Sequence, residues 1–337
     1  MDGIRNAFSY IYIGFRAVKG FLTVGDITLC LNSVSQAYES IRTMITGIQE
    51  MNKRCRYFSH YLVFMEYPDA KIPGNKKIKN DGDHEIEFKN VSFKYPRASE
   101  YVLENINIKI KSGEHLSVVG LNGAGKTTFI KLLCRLYDVT SCEILVDGIN
   151  IKEYSEEEYK KLFAVLFQDF KLFAFAFREN ITLEKSEYPL GENQKNEVNK
   201  ILEKTVMKSD VEKMKLGLET PVFKSYEKDG QELSGGQQQK TAISRALYRD
   251  APIVILDEPT AALDPIAEFE IYRQFNDLVG GKTAVYISHR LSSCRFCDRI
   301  AVFSDHTIKE YGTHDQLVKK KNGLYAKMFS EQAKYYQ

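Results

Sequence analysis

Leu116-Ser-Val-Val119, Gly120-Leu-Asn-Gly-Ala-Gly-Lys-Thr-Thr128 and Phe129-Ile-Lys-Leu-Leu133 follow one another without a break, and their reading decides the fold. A short apolar strand runs into a glycine-rich loop, and the loop opens a helix; this is the GxxxxGK[ST] pattern in the setting it requires. Gly120, Gly123 and Gly125 let the backbone turn through unusual dihedrals and approach a ligand closely. The exposed N–H groups and the helix N-terminus then make a nest for phosphate oxygens. Lys126 adds positive charge for the outer phosphates, and the Thr127 hydroxyl suits Mg²⁺, a hard cation that prefers oxygen.

Downstream, Ile253-Val-Ile-Leu256 reads as a buried strand ending in Asp257-Glu258. Beside a phosphate loop, Asp257 can hold Mg²⁺ through water and Glu258 can polarise a water aimed at a γ-phosphate. Between the two lies Leu233-Ser-Gly-Gly-Gln237, at the head of a predicted helix from Gln238 to Tyr248. A serine and two glycines at a helix start form a second anion site. Two such sites in one domain are redundant unless they serve different copies.

These residues resemble those of ATP-binding-cassette (ABC) proteins: Leu233–Gln237 looks like their signature motif, and further motifs follow in the family's order. Tyr95 in Phe93-Lys-Tyr-Pro96 resembles the aromatic residue that stacks on adenine, and Gln168 in Val165-Leu-Phe-Gln168 the glutamine that touches Mg²⁺. Ala262-Leu-Asp264 resembles the loop that crosses between paired subunits, and His289 in Ile287-Ser-His-Arg290 the histidine on the γ-phosphate. The resemblance covers about residues 84–337. It implies that Asn122, Gly123, Ala124, Gly125, Lys126, Thr127 and Thr128 hold ATP, with Tyr95 on the base. Ser234, Gly235, Gly236, Gln237 and Asp264 would act across a head-to-tail pair. Thr127, Gln168 and Asp257 would serve Mg²⁺, and Glu258, His289, Lys126 and Gln168 would carry catalysis. No residue with an implied catalytic role is substituted.

Three places depart from the family pattern or match it loosely. Cys142 in Thr140-Ser-Cys-Glu-Ile144 stands where glycine is usual, which predicts local backbone strain. Lys240 stands where arginine is usual, and a lysine cannot make a bidentate fork. Glu227-Lys-Asp-Gly230 resembles only loosely a coupling segment of exporters.

The expected fold is therefore α/β, a P-loop nucleotidase of ABC type with an antiparallel β subdomain and a helical signature subdomain. Alternating strands from Glu85–Phe93 and Val102–Ile110 onward agree with it. Residues 67–83, with Pro68, Pro73, Gly74 and Gly82, read as a linker. Residues 1–66 differ. Ala7–Phe15 is apolar, Gly20–Asp26 looks like a turn, and from Ile27 an apolar stripe runs through Leu31, Val34, Tyr38, Ile41, Ile45 and Ile48. Its other face carries Asn32, Ser33, Gln36 and Glu39, which suits a bundle helix, an interfacial helix or a membrane helix lining an aqueous path. By resemblance this is the C-terminal fragment of an exporter's transmembrane domain, with Met1 falling inside its fifth membrane helix. No run reaches the roughly 18 apolar residues of a self-sufficient membrane helix.

Lys plus Arg at 47 against Asp plus Glu at 45 gives no general reason to expect nucleic acid as a partner. The six cysteines form no disulfide framework, which predicts a reducing, cytoplasmic setting. Cys294 and Cys297 make a lone CxxC without further metal ligands nearby, and read as two thiols on a helix. The implied function is ATP hydrolysis that powers export at the cell membrane. The implied partners are a second nucleotide-binding domain and transmembrane helices. Two alternatives compete. A soluble ABC ATPase acting on DNA would carry a long coiled coil between Thr128 and Leu233, and one acting on ribosomes would carry two cassettes. A remnant nucleotide-binding module would lack transport.

Overall fold

The computed structural model describes residues 2–66, 74–79, 82–184, 191–225, 229–258, 279–288 and 291–335. It divides into two compact units, Met1–Ala70 and Lys71–Gln337.

The first unit is a helical hairpin. Helix α1 spans Asp2–Val18 and α2 spans Val24–Met65. Thr23 starts α2 with a capping box: its hydroxyl accepts from the Asp26 N–H at 3.3 Å, and Asp26 accepts from the Thr23 N–H at 2.9 Å. That reciprocal pair satisfies two groups a helix start leaves open. Along α2 the hydroxyls of Ser40, Thr43 and Thr46 bond back to carbonyls one turn earlier, so these polar side chains sit in mid-helix without competing for the ladder. In the expected apolar stripe, Ile27, Leu31 and Tyr38 are half-buried, whereas Ile41, Ile45 and Ile48 are exposed. Among the described residues, no helix is long and apolar enough to cross a membrane.

The second unit is built on two sheets. Strands β1 (Ile86–Phe93), β2 (Leu103–Ile110), β4 (Ser141–Val146) and β5 (Ile149–Asn150) form an antiparallel sheet in the order β2-β1-β4-β5. Strands β3 (His115–Gly120), β6 (Phe163–Leu166), β7 (Ile253–Asp257), β8 (Thr283–Ile287), β9 (Arg299–Ser304) and β10 (Thr307–Gly312) form the other, in the order β10-β9-β3-β8-β7-β6. All neighbours in that sheet are parallel except β10 on β9. Strands β7 and β8 are buried at every position, which is why they read as continuous apolar runs rather than as alternation.

Helix α3 (Lys126–Leu133) follows β3, and α4 (Glu156–Lys161) precedes β6. A helical region then comprises α5 (Phe177–Thr182), α6 (Glu192–Lys204), α7 (Lys208–Glu212) and α8 (Gly235–Tyr248). It has its own core of Phe177, Ile181, Val198, Leu202, Met207 and neighbours. Helices α9 (His314–Lys319) and α10 (Leu324–Tyr335) close the described chain. The antiparallel and helical subdomains expected from the motifs are thus both present around one parallel sheet.

Two sequence details resolve here. Cys142 has φ +63°, a left-handed backbone that accounts for the local strain expected from its standing in a glycine's place. It lies where the β1–β4 register shifts, between Lys89 and Ser92. Cys294 sits on a 3₁₀ turn, Leu291–Phe296, not on an α-helix, with Cys297 just beyond. Cys294 is buried and accepts the Ser117 hydroxyl at 3.2 Å. Burial pushes the Cys297 thiol up. Both are free thiols, and no cluster of metal-ligating side chains exists among the described residues.

Candidate nucleotide site

In an open parallel sheet, ligands bind beyond the carboxyl ends of the strands. Strand register puts the predicted residues on that edge. Val118 of β3 pairs with Ile287 of β8, and Ile287 pairs with Asp257 of β7. The phosphate loop, the Asp257-Glu258 pair and the segment entering His289 therefore leave three adjacent strands at one level. Gln168 follows β6, the strand beyond β7.

The loop is held in shape by close packing. Gly120 has φ +149°, and a Cβ there would lie 2.2 Å from the Phe303 carbonyl oxygen. Gly125 has φ +96°, and its Cβ would lie 2.5 Å from Leu103 Cδ2. Neither position admits a side chain without moving a neighbour. Gly125 is the N-cap of α3 and supplies no side-chain bond to the helix start, so the first N–H groups of α3 are left for a ligand.

Lys126 is buried, and its Nζ donates to the carbonyls of Gly120 at 2.8 Å and Leu121 at 3.0 Å. Burial lowers its pKa below the ordinary lysine value, and the charges of Glu258 and Asp257 oppose that shift. A cavity of about 610 Å³ lies over this region, lined by Asn122, Gly123, Lys126, Thr127, Gln168 and Glu258 among others. Thr128 also lines it, but its hydroxyl is engaged by the Tyr95 hydroxyl at 3.0 Å. The Thr127 hydroxyl has no protein partner among the described residues. Ala124, within the loop, is buried.

Glu258 has φ +51°. Its N–H donates to the Ile287 carbonyl at 3.0 Å, and its carboxylate accepts from Gln168 Nε2 at 3.0 Å. Asp257 is 1% exposed. Thr127 and Gln168 line the cavity and offer a hydroxyl and an amide oxygen, and the carboxylate of Asp257 is buried at the end of β7, next to the cavity-lining Glu258. That is a donor set suited to Mg²⁺, which takes few protein ligands and relies on substrate phosphates and water for the rest.

Two groups of predicted residues lie elsewhere. Tyr95 does not line the cavity: its ring is half-buried, packed edge-on against Phe93 and Tyr137 with centroids 5.0 and 5.2 Å away. Ser234, Gly235, Gly236 and Gln237 begin α8 and do not line this chain's cavity either. There the Ser234 hydroxyl accepts from the Gln237 N–H at 3.3 Å, and the Gln237 side chain accepts from the Ser234 N–H at 3.0 Å. His289, Asp264 with its loop, and Glu227 of the exporter-like segment lie outside the described residues.

Sequence reading missed two residues. Gln239, 3% exposed on α8, donates through Nε2 to the Glu258 carbonyl at 3.1 Å. Arg245 anchors the same helix, donating to the carbonyls of Asn180 at 2.8 Å and Lys171 at 3.0 Å. It supplies a fork that Lys240, which pairs with no carboxylate among the described residues, does not. Only the tertiary contacts distinguish these side chains from ordinary polar positions on a helix.

Comparison with known proteins agrees with this fold. Residues 103–261 match the family model for the ABC transporter. Over 315 residues the chain is 38% identical to the subtilin transport ATP-binding protein SpaT of Bacillus subtilis, covering 93% of this chain and 50% of that one. It is 32% identical over 327 residues to the ATP-dependent lipid A-core flippase of Escherichia coli K12, covering 97% and 54%. A solved bacterial Atm1-family ABC exporter with ATP bound superposes with a TM-score of 0.76 at 25% identity, covering 97% of this chain and 56% of that one. The chain thus spans about half the length of the curated relatives it matches. Its nucleotide unit is similar to the ATP-binding domain of ABC transporters, exporters among them.

Proposed function

We propose that this ABC-type domain binds ATP with Mg²⁺ and hydrolyses it to power export of a substrate across the cell membrane, as part of an ABC transporter. The observation that carries the reading is the cavity itself. An uncapped helix start, a lysine, a carboxylate on a left-handed backbone and a glutamine share one wall at the carboxyl edge of a parallel sheet.

In this reading the N–H groups from Gly123 to Thr128 and the Lys126 ammonium bind the β- and γ-phosphates. Thr127, Gln168 and Asp257 hold Mg²⁺, which when bound neutralises phosphate charge. Glu258 accepts a proton from the attacking water, and Lys126 with His289 stabilises the transferring phosphoryl group. Tyr95 stacks on the base after its ring turns from Tyr137.

The capped start of α8 does not line this chain's own cavity. It supports pairing with a second nucleotide-binding domain, whose ATP would meet Ser234 and Gly236. Asp264 would sit in the crossing loop of that pair. The helical hairpin would belong to the transmembrane part of the transporter, and the nucleotide unit would lie on the cytoplasmic side.

Glu258→Gln is expected to cut turnover by about 10²–10⁴-fold, the scale for loss of a general base, while ATP binding persists. Near-normal hydrolysis by this variant would remove Glu258 from the role. For transport, nucleotide-driven movement of substrate into reconstituted vesicles supports the reading; hydrolysis that never moves a substrate would reduce the protein to a nucleotide-binding module.

A further inference from the structure

We infer that Gln239 is a positioning residue that ties helix α8 to Glu258, and so links the two nucleotide sites of a pair. The inference rests on the reading of Glu258 as the base and of α8 as the element that meets a partner's nucleotide.

Glu258 stands on a backbone that L side chains seldom adopt, with φ +51°. Such a conformation persists only where the surroundings over-determine it. Two hydrogen bonds from different elements do so here. The Glu258 N–H donates to Ile287 at the end of β8, at 3.0 Å. The Glu258 carbonyl accepts from Gln239 Nε2 at 3.1 Å. The first bond belongs to the sheet; the second comes from the helix that begins at Ser234. Gln239 is 3% exposed, so its amide is held by packing as well as by that bond.

Gln239 lies five residues beyond Ser234, about 7.5 Å along a helix axis. Helix α8 is further fixed at its other end by Arg245 on the carbonyls of Asn180 and Lys171. A small shift of its first turns, of the kind that engagement of a partner's phosphate would produce, is therefore delivered through Gln239 to the peptide that sets the direction of the Glu258 carboxylate. In a head-to-tail pair, Ser234 serves one site while Glu258 of the same chain serves the other. Gln239 would then make hydrolysis in one site depend on occupancy of its companion.

The test uses the full chain with Gln239→Met, which keeps volume and loses the donor, and Gln239→Glu, which keeps shape and presents an acceptor instead. Hydrogen exchange followed by mass spectrometry, without nucleotide, is expected to show the Glu258 amide, which keeps its own bond to Ile287, exchanging about five- to tenfold faster in either variant, because the end of β7 loses the stabilisation of the Gln239 bond, on the scale of one hydrogen bond. Exchange in α3 should be unchanged. In ATP hydrolysis, kcat should fall about 10- to 100-fold, the scale of a small misplacement of a catalytic group. KM for ATP should stay within about twofold, and positive cooperativity in ATP should disappear.

Unchanged exchange at Glu258 overturns the inference, as do unchanged kcat and cooperativity. Glu258→Gln run alongside separates the two readings. If that variant turns over normally, the role of Glu258 fails. If it is dead while Gln239→Met behaves as wild type, only the link through Gln239 fails. Should the chain show no turnover at all, the exchange measurement decides alone.

Discussion

Two helix starts in this protein look alike in sequence and differ in structure. Helix α3 begins from Gly125, left-handed, with no side chain bonding its first N–H groups. Helix α8 begins from Ser234 with a complete capping box through Gln237. Glycine-rich, small-residue segments precede or open both. The first is left unsatisfied, which suits a ligand that brings its own acceptors. The second satisfies itself and presents Ser234 and two glycines at the surface, which suits contact with a nucleotide held by another domain. A third start marks the scale. At α10 the Glu310 carboxylate accepts from the N–H groups of Leu324 at 3.1 Å and Tyr325 at 3.0 Å, so the protein already uses an internal anion where no ligand is called for.

Breaking the open start should have the largest effect. Lys126→Ala is expected to lower ATP turnover by about 10²–10³-fold, as for loss of one preorganised partner of transition-state charge; steady-state hydrolysis measures it. Gly125→Ala adds a Cβ 2.5 Å from Leu103 on a backbone at φ +96°. Strain of this kind costs about 1–3 kcal/mol, so nucleotide affinity should fall about tenfold or more. Titration with a fluorescent ATP analogue would show it, and unaltered affinity would mean that the loop tolerates reshaping.

At α8 the two roles of Ser234 separate cleanly. Ser234→Ala should cost about 0.5–2 kcal/mol of stability through the lost cap, and Ser234→Gly only a few tenths. Turnover should fall equally in both if the hydroxyl meets a partner's phosphate. Turnover that follows the melting temperatures instead would make Ser234 a cap and nothing more.

At α10 the expected effect is on stability alone. Burial would raise the Glu310 pKa, but the N–H groups of Tyr325 and Leu324 and the Lys320 ammonium outweigh it and hold the carboxyl below its ordinary value. A depressed carboxyl pKa stabilises the fold above the unfolded value, near 4.5. That contribution is lost as pH falls through the lower folded value. Glu310→Gln should therefore cost about 1–3 kcal/mol near neutrality, and much less in melts at about pH 3.

The same contrast explains what could be read from the chain. The strand–loop–helix around Lys126 was legible because phosphate binding demands residue types at fixed spacing, and β7 because two-sided burial leaves an apolar run. Strain at Cys142 was legible because a side chain stood where only glycine sits easily. The 3₁₀ form around Cys294 was not, since two thiols three apart say nothing of helix type. Nor was the edge-on packing of Tyr95, which depends on Phe93 and Tyr137 meeting it across the fold. Gln239 was invisible for the same reason: its partner is a carbonyl 19 residues away, and backbone acceptors leave no mark in a sequence.

The central claim is that the open start of α3 and the closed start of α8 complete each other only between copies. Its most direct test is Mg²⁺-dependent ATP hydrolysis by this chain across a range of protein concentrations, with Glu258→Gln as control. Specific activity should rise with concentration and vanish in the variant. Specific activity that is constant down to the lowest concentration at which the chain is shown to be monomeric would contradict it.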